Sequence, residues 1–337
     1  MDDQRTLRDL VIAHCNDYGF DIAEVLSAKD SSLLPFPSLS VIIPYFETGK
    51  IFRRVLRHLY AAIGLVMMID PHWTFEILVI DDGSRIEPAK RYCRRNLPSL
   101  NIIRNELNLG RAITRNRGLS QARWELSLFL DSDVMVARDT LLYHLKVHSM
   151  VKQIRTKAVS VGLFCLVSKT DSLCRQSVIY SKDVKLNDFR IQCLYKASWI
   201  GCEEDRRFIG CRFSPVLETN YFRKWPSTGF LGPWLLTNMV LGGFFIVRTD
   251  EAKMVGGFDP AFTGYSFTET SIPTKLIAAY GTYIIPIPQG ACVHVDNPSV
   301  NITIREKNRL FQDKHRFYFQ MYLGQTLKEA LRGFGIS

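Results

Sequence analysis

From Leu39 onward, short apolar runs alternate with longer stretches whose apolar positions recur at helical spacing. LSVIIP (Leu39 to Pro44), FEILVI (Phe75 to Ile80), LNIIRN from Leu100 and LSLFL (Leu126 to Leu130) are short and almost uniformly apolar. Such runs predict strands buried on both faces, as in a parallel sheet. Between them, GKIFRRVLRHLYAAIGL from Gly49 predicts an amphipathic helix, Glu87 to Arg95 a second, and NLGRAITRNRGLSQA, which opens on a glycine, a third. Strand and helix in repeated alternation predict an α/β fold: a Rossmann-like, mostly parallel central sheet flanked by helices, with right-handed crossovers.

Polar residues gather where the predicted strands stop: Glu47, then Asp81 and Asp82, then Asp131 and Asp133. In a parallel sheet these positions share one edge, and ligands of open α/β sheets bind beyond the carboxyl ends of the strands. Leu126 to Leu130 runs directly into Asp131-Ser132-Asp133. Two carboxylates there are costly to bury unless something positive lies against them. A divalent cation carrying a nucleotide diphosphate meets that need; a strand ending in a polar turn is the plainer alternative.

The flanks read differently. Leu7, Leu10, Val11 and His14 keep a helical period, DIAEVLSA suggests a second short helix, and Pro35 and Pro37 interrupt the chain. Residues 1–37 are therefore expected to be an N-terminal helical extension, 38–300 the main domain (38–150 and 151–300 as its halves), and 301–337 a helical tail. That tail mixes basic and aromatic residues and would dock on the domain or lie on an anionic membrane.

Hydrophobic content of 47% and charged content of 23% are ordinary for a globular chain of 337 residues. No apolar stretch is long enough to span a bilayer. The N-terminus lacks an apolar signal core, and eight cysteines lie without a CxxC pair, so a cytoplasmic protein with reduced thiols is expected. Cys193, Cys202 and Cys211 recur every nine residues, a spacing unlike paired zinc ligands. The formal charge of +10 calls for anions, and its even spread argues against a nucleic-acid partner. His144 and His148 are four apart but lack the glutamate of a metalloprotease helix. Glu203, Glu204 and Asp205 read as a solvated loop.

Taken in order, VIIPYFE, ILVIDDGS, NLGRAITRNRGL and LFLDSD resemble the nucleotide-binding half of family-2-type glycosyltransferases with the GT-A fold. GPWLLTNMVLGGFFIVRTDEAKMVGGFDPAFTGYSFTET is similar to the acceptor half of the same family. The resemblance implies a metal-dependent transfer of one sugar from a nucleotide-sugar donor, with uridine as the base, to a glycan, peptide, lipid or small-molecule acceptor, with inversion. It implies that Pro44, Glu47, Asp82, Arg115, Asp131 and Ser132 line the donor nucleotide. It implies Mn2+ or Mg2+ on Asp133, completed by His294; an imidazole ligand favours manganese. Asp131-Ser132-Asp133 would be the DxD signature.

The family carries Glu-Asp where this chain has Glu269-Thr270. An inverting transfer needs a carboxylate to take the acceptor's proton, and threonine cannot. Glu269 is the nearest carboxylate and the expected base. A surface acid at a helix N-terminus is the plainer reading of it. Arg111 and Arg115 read alternatively as a solvated helix face. Gly242 and Gly243 would let backbone approach a sugar, and Trp225 and Trp234 would floor its site or pack in the core. Other classes stay open. A sugar-nucleotide pyrophosphorylase needs a glycine-rich loop and lysine that PYFETGK lacks. A catalytically inert scaffold is favoured by Thr270. The QxxRW signature of processive synthases is absent.

Overall fold

The computed structural model describes residues 4–93, 97–188, 190, 199–200, 210–212, 235–262, 267–296, 306, 309–310, 313–314 and 316–335. Trp225, Trp234, Cys193, Cys202, Glu203, Glu204 and Asp205 lie outside the described residues.

Eleven described strands form two sheets. They are β1 (Cys15–Asp17), β2 (Leu39–Tyr45), β3 (Phe75–Asp81), β4 (Leu100–Arg104), β5 (Leu126–Leu130), β6 (Val134–Val136), β7 (Ala158–Val167), β8 (Trp199–Ile200), β9 (Gly210–Arg212), β10 (Phe244–Arg248) and β11 (Tyr283–Val295). The main sheet runs β4-β3-β2-β5-β10-β7-β11-β6. Strands β2 to β5 pair in parallel, as the apolar alternation predicts, and β7 pairs in parallel with β11. All five residues of β5 are buried, the position the unbroken run Leu126 to Leu130 demands.

The second half of the sheet departs from simple alternation. Strand β10 inserts antiparallel between β5 and β7, with Phe244 opposite Leu130, and β6 pairs antiparallel with β11, with His294 opposite Val134. Sequence pattern gives which residues are buried, but not which strand lies beside which. This insertion decides the site, because it brings Gly242 and Gly243 to the carboxyl end of β5.

Helix Lys50–Ile69 covers one face, burying Phe52, Val55, Leu59, Ala62 and Val66 at helical spacing. Helix Arg111–Gln121 crosses β2 and β3 with Gly118 pressed against Ile42 and Ile80, where any larger residue would collide. Helix Thr140–Gln153 carries His144 and His148, both buried, whose Nδ1 and Nε2 respectively lie 2.8 and 3.0 Å from Ser160 Oγ on β7.

Two expectations are corrected. The helix expected over Glu87 to Arg95 is only a 3-10 turn, Ala89–Arg91, in its described part. Side chains from the ends of β2 and β3 tie down the N–H groups leading into this turn. Glu47 accepts the N–H groups of Arg85, Ile86 and Glu87, and Asp81 accepts that of Ala89. The segment 1–37 is not purely helical. Helices Leu7–Ala13 and Ile22–Ser27 flank β1, which pairs with β9, and Asn16 exchanges two hydrogen bonds of 2.7 Å with the backbone of Ile284. The segment around Leu7 also meets the segment around Gln325. Leu7 N–H donates to Gln325 O at 3.0 Å, and Leu327 N–H to Arg5 O at 2.9 Å. In the tail, a π-helical turn Phe317–Tyr322 and helix Leu327–Gly333 pack on the domain. No described helix is long and apolar enough to cross a membrane.

Candidate active site

Parallel pairing of β2, β3 and β5 puts Glu47, Asp81, Asp82, Asp131 and Asp133 along one edge of the sheet. The acids do unlike work there. Glu47 adopts φ +50°, and its carboxylate takes three consecutive N–H donors, Arg85 at 2.5 Å, Ile86 at 3.0 Å and Glu87 at 2.6 Å. Burial raises the proton affinity of Glu47, but those donors and Arg104 outweigh it and hold its carboxyl below the usual range. Asp81 accepts from Ser84 and Ala89 N–H and pairs with Arg104 at 3.2 Å. Asp82 accepts from Asn105 Nδ2 at 2.7 Å, Leu109 N–H at 2.9 Å and Gly110 N–H at 3.0 Å. These three acids therefore brace the loops after β2, β3 and β4. Pro44 lies within β2 opposite Ile80.

The β5 end is arranged differently. Arg115 is 1% exposed, and its guanidinium donates to Asp131 Oδ1 at 2.7 Å and to Glu269 Oε1 at 2.5 Å. It thereby pairs with a residue 154 positions away in sequence. Burial works against its charge, but Glu269 and Asp131 overcome that and push its pKa above the ordinary arginine value. Asp131 is held below the usual carboxylate range: burial opposes, and the charges of Arg115 and Arg111 prevail. The sequence offers Arg115 as a nucleotide contact or a solvated face; its burial rules out the solvated face. Its helical register is the signal that could have found this. Arg115 is three residues from buried Ala112 and four from buried Leu119, and a charge on an apolar face requires a partner.

Glu269 is buried, and lies two residues before helix Ser271–Tyr280, so the reading of it as a surface acid is corrected. Thr270 beside it is also buried. Gly242 closes over the pair. A Cβ at this position would lie 2.6 Å from Glu269 Oε1 and 3.0 Å from Arg115 Nη2, so the missing side chain makes room for the ion pair. Gly243 adopts φ +116° beside Phe164, and its carbonyl accepts from Asp131 N–H at 3.1 Å.

Asp133 and His294 face each other, with Oδ1 and Nε2 3.6 Å apart and both side chains partly exposed. Burial lowers the imidazole's proton affinity, yet the neighbouring carboxylates of Asp133 and Asp131 leave its pKa raised. His294 rests edge-on against Phe164, 5.7 Å between ring centroids, and Phe164 lies under the guanidinium of Arg190. Arg190 is itself fully buried and paired with Asp188 at 2.6 Å. Nothing in the sequence pattern points to this support. Ser132 is buried, its Oγ 2.6 Å from Thr48 Oγ1.

Two donors 3.6 Å apart suit one divalent ion, because ligands at about 2.1 Å can be no more than ~4.2 Å from each other. Among the described residues no group of three or more His, Cys, Asp or Glu is placed to hold a metal. Asp131 is turned to Arg115. The fit is to an ion with two protein ligands whose remaining positions fall to phosphate and water.

Residues 40–150 match the model of glycosyl transferase family 2, and the motifs ending β2, β3 and β5 fall inside that segment. That segment, which lies on a mixed α/β sheet, is thus similar to family-2 glycosyltransferases. An uncharacterized glycosyltransferase of Escherichia coli, YibD, is 35% identical over 99 residues, 28% of this chain and 26% of that protein. Dolichyl-phosphate beta-glucosyltransferase ALG5C of Trichomonas vaginalis is 24% identical over 172 residues, 47% of this chain and 50% of that one. The chain spans half or less of these relatives' length. The solved structure of GalNAc-T7 with UDP, GalNAc and Mn2+ overlaps 90% of this chain and 56% of its own at 13% identity and a TM-score of 0.47.

Proposed function

We propose that the chain transfers a single sugar from a nucleotide-sugar donor, a UDP-sugar, to an acceptor hydroxyl or similar nucleophile, with inversion. The observation that carries this reading is the junction at the end of β5. Asp131 and Glu269 are joined through Arg115, beside Asp133 and His294, on the edge where α/β sheets bind ligands.

Asp133 and His294 would hold Mn2+ or Mg2+, which supplies Lewis-acid stabilisation of the departing diphosphate. Asp131, oriented by Arg115, presents its second oxygen to the ribose. Asp82 and Glu47 hold the nucleotide-side loops in shape, and Ser132 is fixed by Thr48 between the two aspartates. Glu269 would accept the acceptor's proton through Oε2, since Oε1 is taken by Arg115. The fixed guanidinium keeps that carboxylate aimed without consuming both oxygens.

The test is calorimetry of UDP with and without manganese. Metal-dependent binding is expected, and Asp133→Ala should abolish the metal dependence. Binding indifferent to manganese in both proteins would overturn the site. Glu269→Gln should bind UDP like the parent and turn over slowly; unchanged turnover would remove Glu269 as the base.

A further inference from the structure

The sheet edge that bears the acids also bears an unusual set of apolar side chains. Phe46 is 49% exposed, Ile86 79%, Leu107 61%, Leu109 45% and Ile113 41%. A lone exposed apolar residue needs no explanation; four on adjacent loops, with Ile113 in the first turn of the helix that follows, do. They follow β2, β3 and β4, which are neighbouring parallel strands, so their tips stand side by side.

These tips cannot fold back to bury themselves. Glu47 clamps the three N–H groups of residues 85–87, and Ser84 Oγ accepts from Glu47 N–H at 3.0 Å. Asp82 clamps Leu109 and Gly110. Gly83, at φ +75°, lies so close to the Leu107 backbone that a Cβ would approach its carbonyl carbon to 2.6 Å. The loops are therefore locked to one another with their apolar residues outward. Around them Lys50, Arg85, Lys90, Arg91 and Arg111 are exposed, while Glu106 is the exposed acid of these loops and Glu47 and Glu87 are partly buried and hydrogen-bonded.

We propose that this rim is a docking surface for an anionic lipid bilayer. Its aliphatic tips enter the interface, and its basic fringe meets the phosphate headgroups, a combination that neither a soluble glycan nor a neutral surface would match. Docked this way, the β5 end faces the lipid headgroups from the same edge, so the acceptor is drawn from the membrane surface. That last step rests on the proposed transfer, whereas the test of the surface does not depend on turnover.

Co-sedimentation with mixed phosphatidylglycerol and phosphatidylcholine vesicles should retain the protein, and pure phosphatidylcholine vesicles should not. Ile86→Asp and Leu107→Asp should each lower partition by about tenfold, since each withdraws one aliphatic side chain from the interface. Both positions are too exposed for the changes to unfold the chain, and circular dichroism checks this. Met254→Asp, 63% exposed at the opposite edge of the sheet, should partition like the parent. Partition should weaken as salt is raised. No partition of the parent, equal partition of the Asp variants, equal retention on neutral vesicles, or self-association abolished by the same substitutions would each overturn the proposal. Loss of UDP binding with vesicle partition intact would instead strike the proposed transfer and leave the surface standing.

Discussion

Replacing Arg115 with methionine keeps most of its volume but removes the positive charge between Asp131 and Glu269. Arg115 is 1% exposed and the Glu269 side chain 8%, so Glu269 would be left as an uncompensated buried carboxylate. Breaking one partner from a buried pair costs about 3–5 kcal/mol. Asp131 contributes less, because its side chain is 24% exposed and water can take up part of its charge. An Arg115→Met loss near the lower end, about 3 kcal/mol, is therefore expected in urea unfolding at neutral pH. Glu269→Gln, which leaves Arg115 still paired with Asp131, should cost less. The double variant is decisive. With both charges gone, the orphaned carboxylate that makes Arg115→Met expensive no longer exists, so the two losses should fall short of additivity by about 1–3 kcal/mol. Additivity within ~0.5 kcal/mol would refute the claim that Arg115 and Glu269 stabilise each other across the fold. Arg115→Lys should recover only part of the loss, since one ammonium cannot repeat the forked geometry.

Stability should also fall in mild acid. Burial first, and the charge of Arg248 next, depress the pKa of His148 to about 4, and His144 is lowered by burial and by His148. The unfolded chain binds these protons near pH 6.5 while the folded one refuses them, so stability present at pH 7 is lost as pH falls from about 6.5 towards 4. For His148 alone the loss approaches ~3 kcal/mol, at about 1.4 kcal/mol per unit. Urea titrations of parent and His148→Gln across that window should diverge, and parallel curves would count against it. Gly242→Ala drives a Cβ to 2.6 Å from Glu269 Oε1, so a loss of about 1–3 kcal/mol by thermal unfolding is expected together with slowed turnover; a neutral effect would mean the pair can move aside.

The alternation of strand and helix is legible from residue 39 to 130 because a strand buried on both faces must be apolar throughout, and an amphipathic helix must repeat its apolar positions. The same logic sets the acids of β2, β3 and β5 on one edge, since parallel strands end on the same side of their sheet. It fails for the helix expected over Glu87 to Arg95, whose described part forms only the 3-10 turn Ala89–Arg91, with the N–H groups of Glu87 and Ala89 held by Glu47 and Asp81.

What the chain's order determined by itself, then, is local: which segments are extended or helical, which faces are buried, and which strand ends carry charge. Tertiary structure alone decided that Glu47, Asp81 and Asp82 accept from neighbouring N–H groups while Asp131 and Glu269 share one guanidinium. It alone put β10 between β5 and β7 and so set Gly242 over that ion pair. The reason is that a carboxylate's role is set by the donors and charges within about 3 Å of it. Those neighbours come from distant parts of the chain, brought close only when the sheet is assembled.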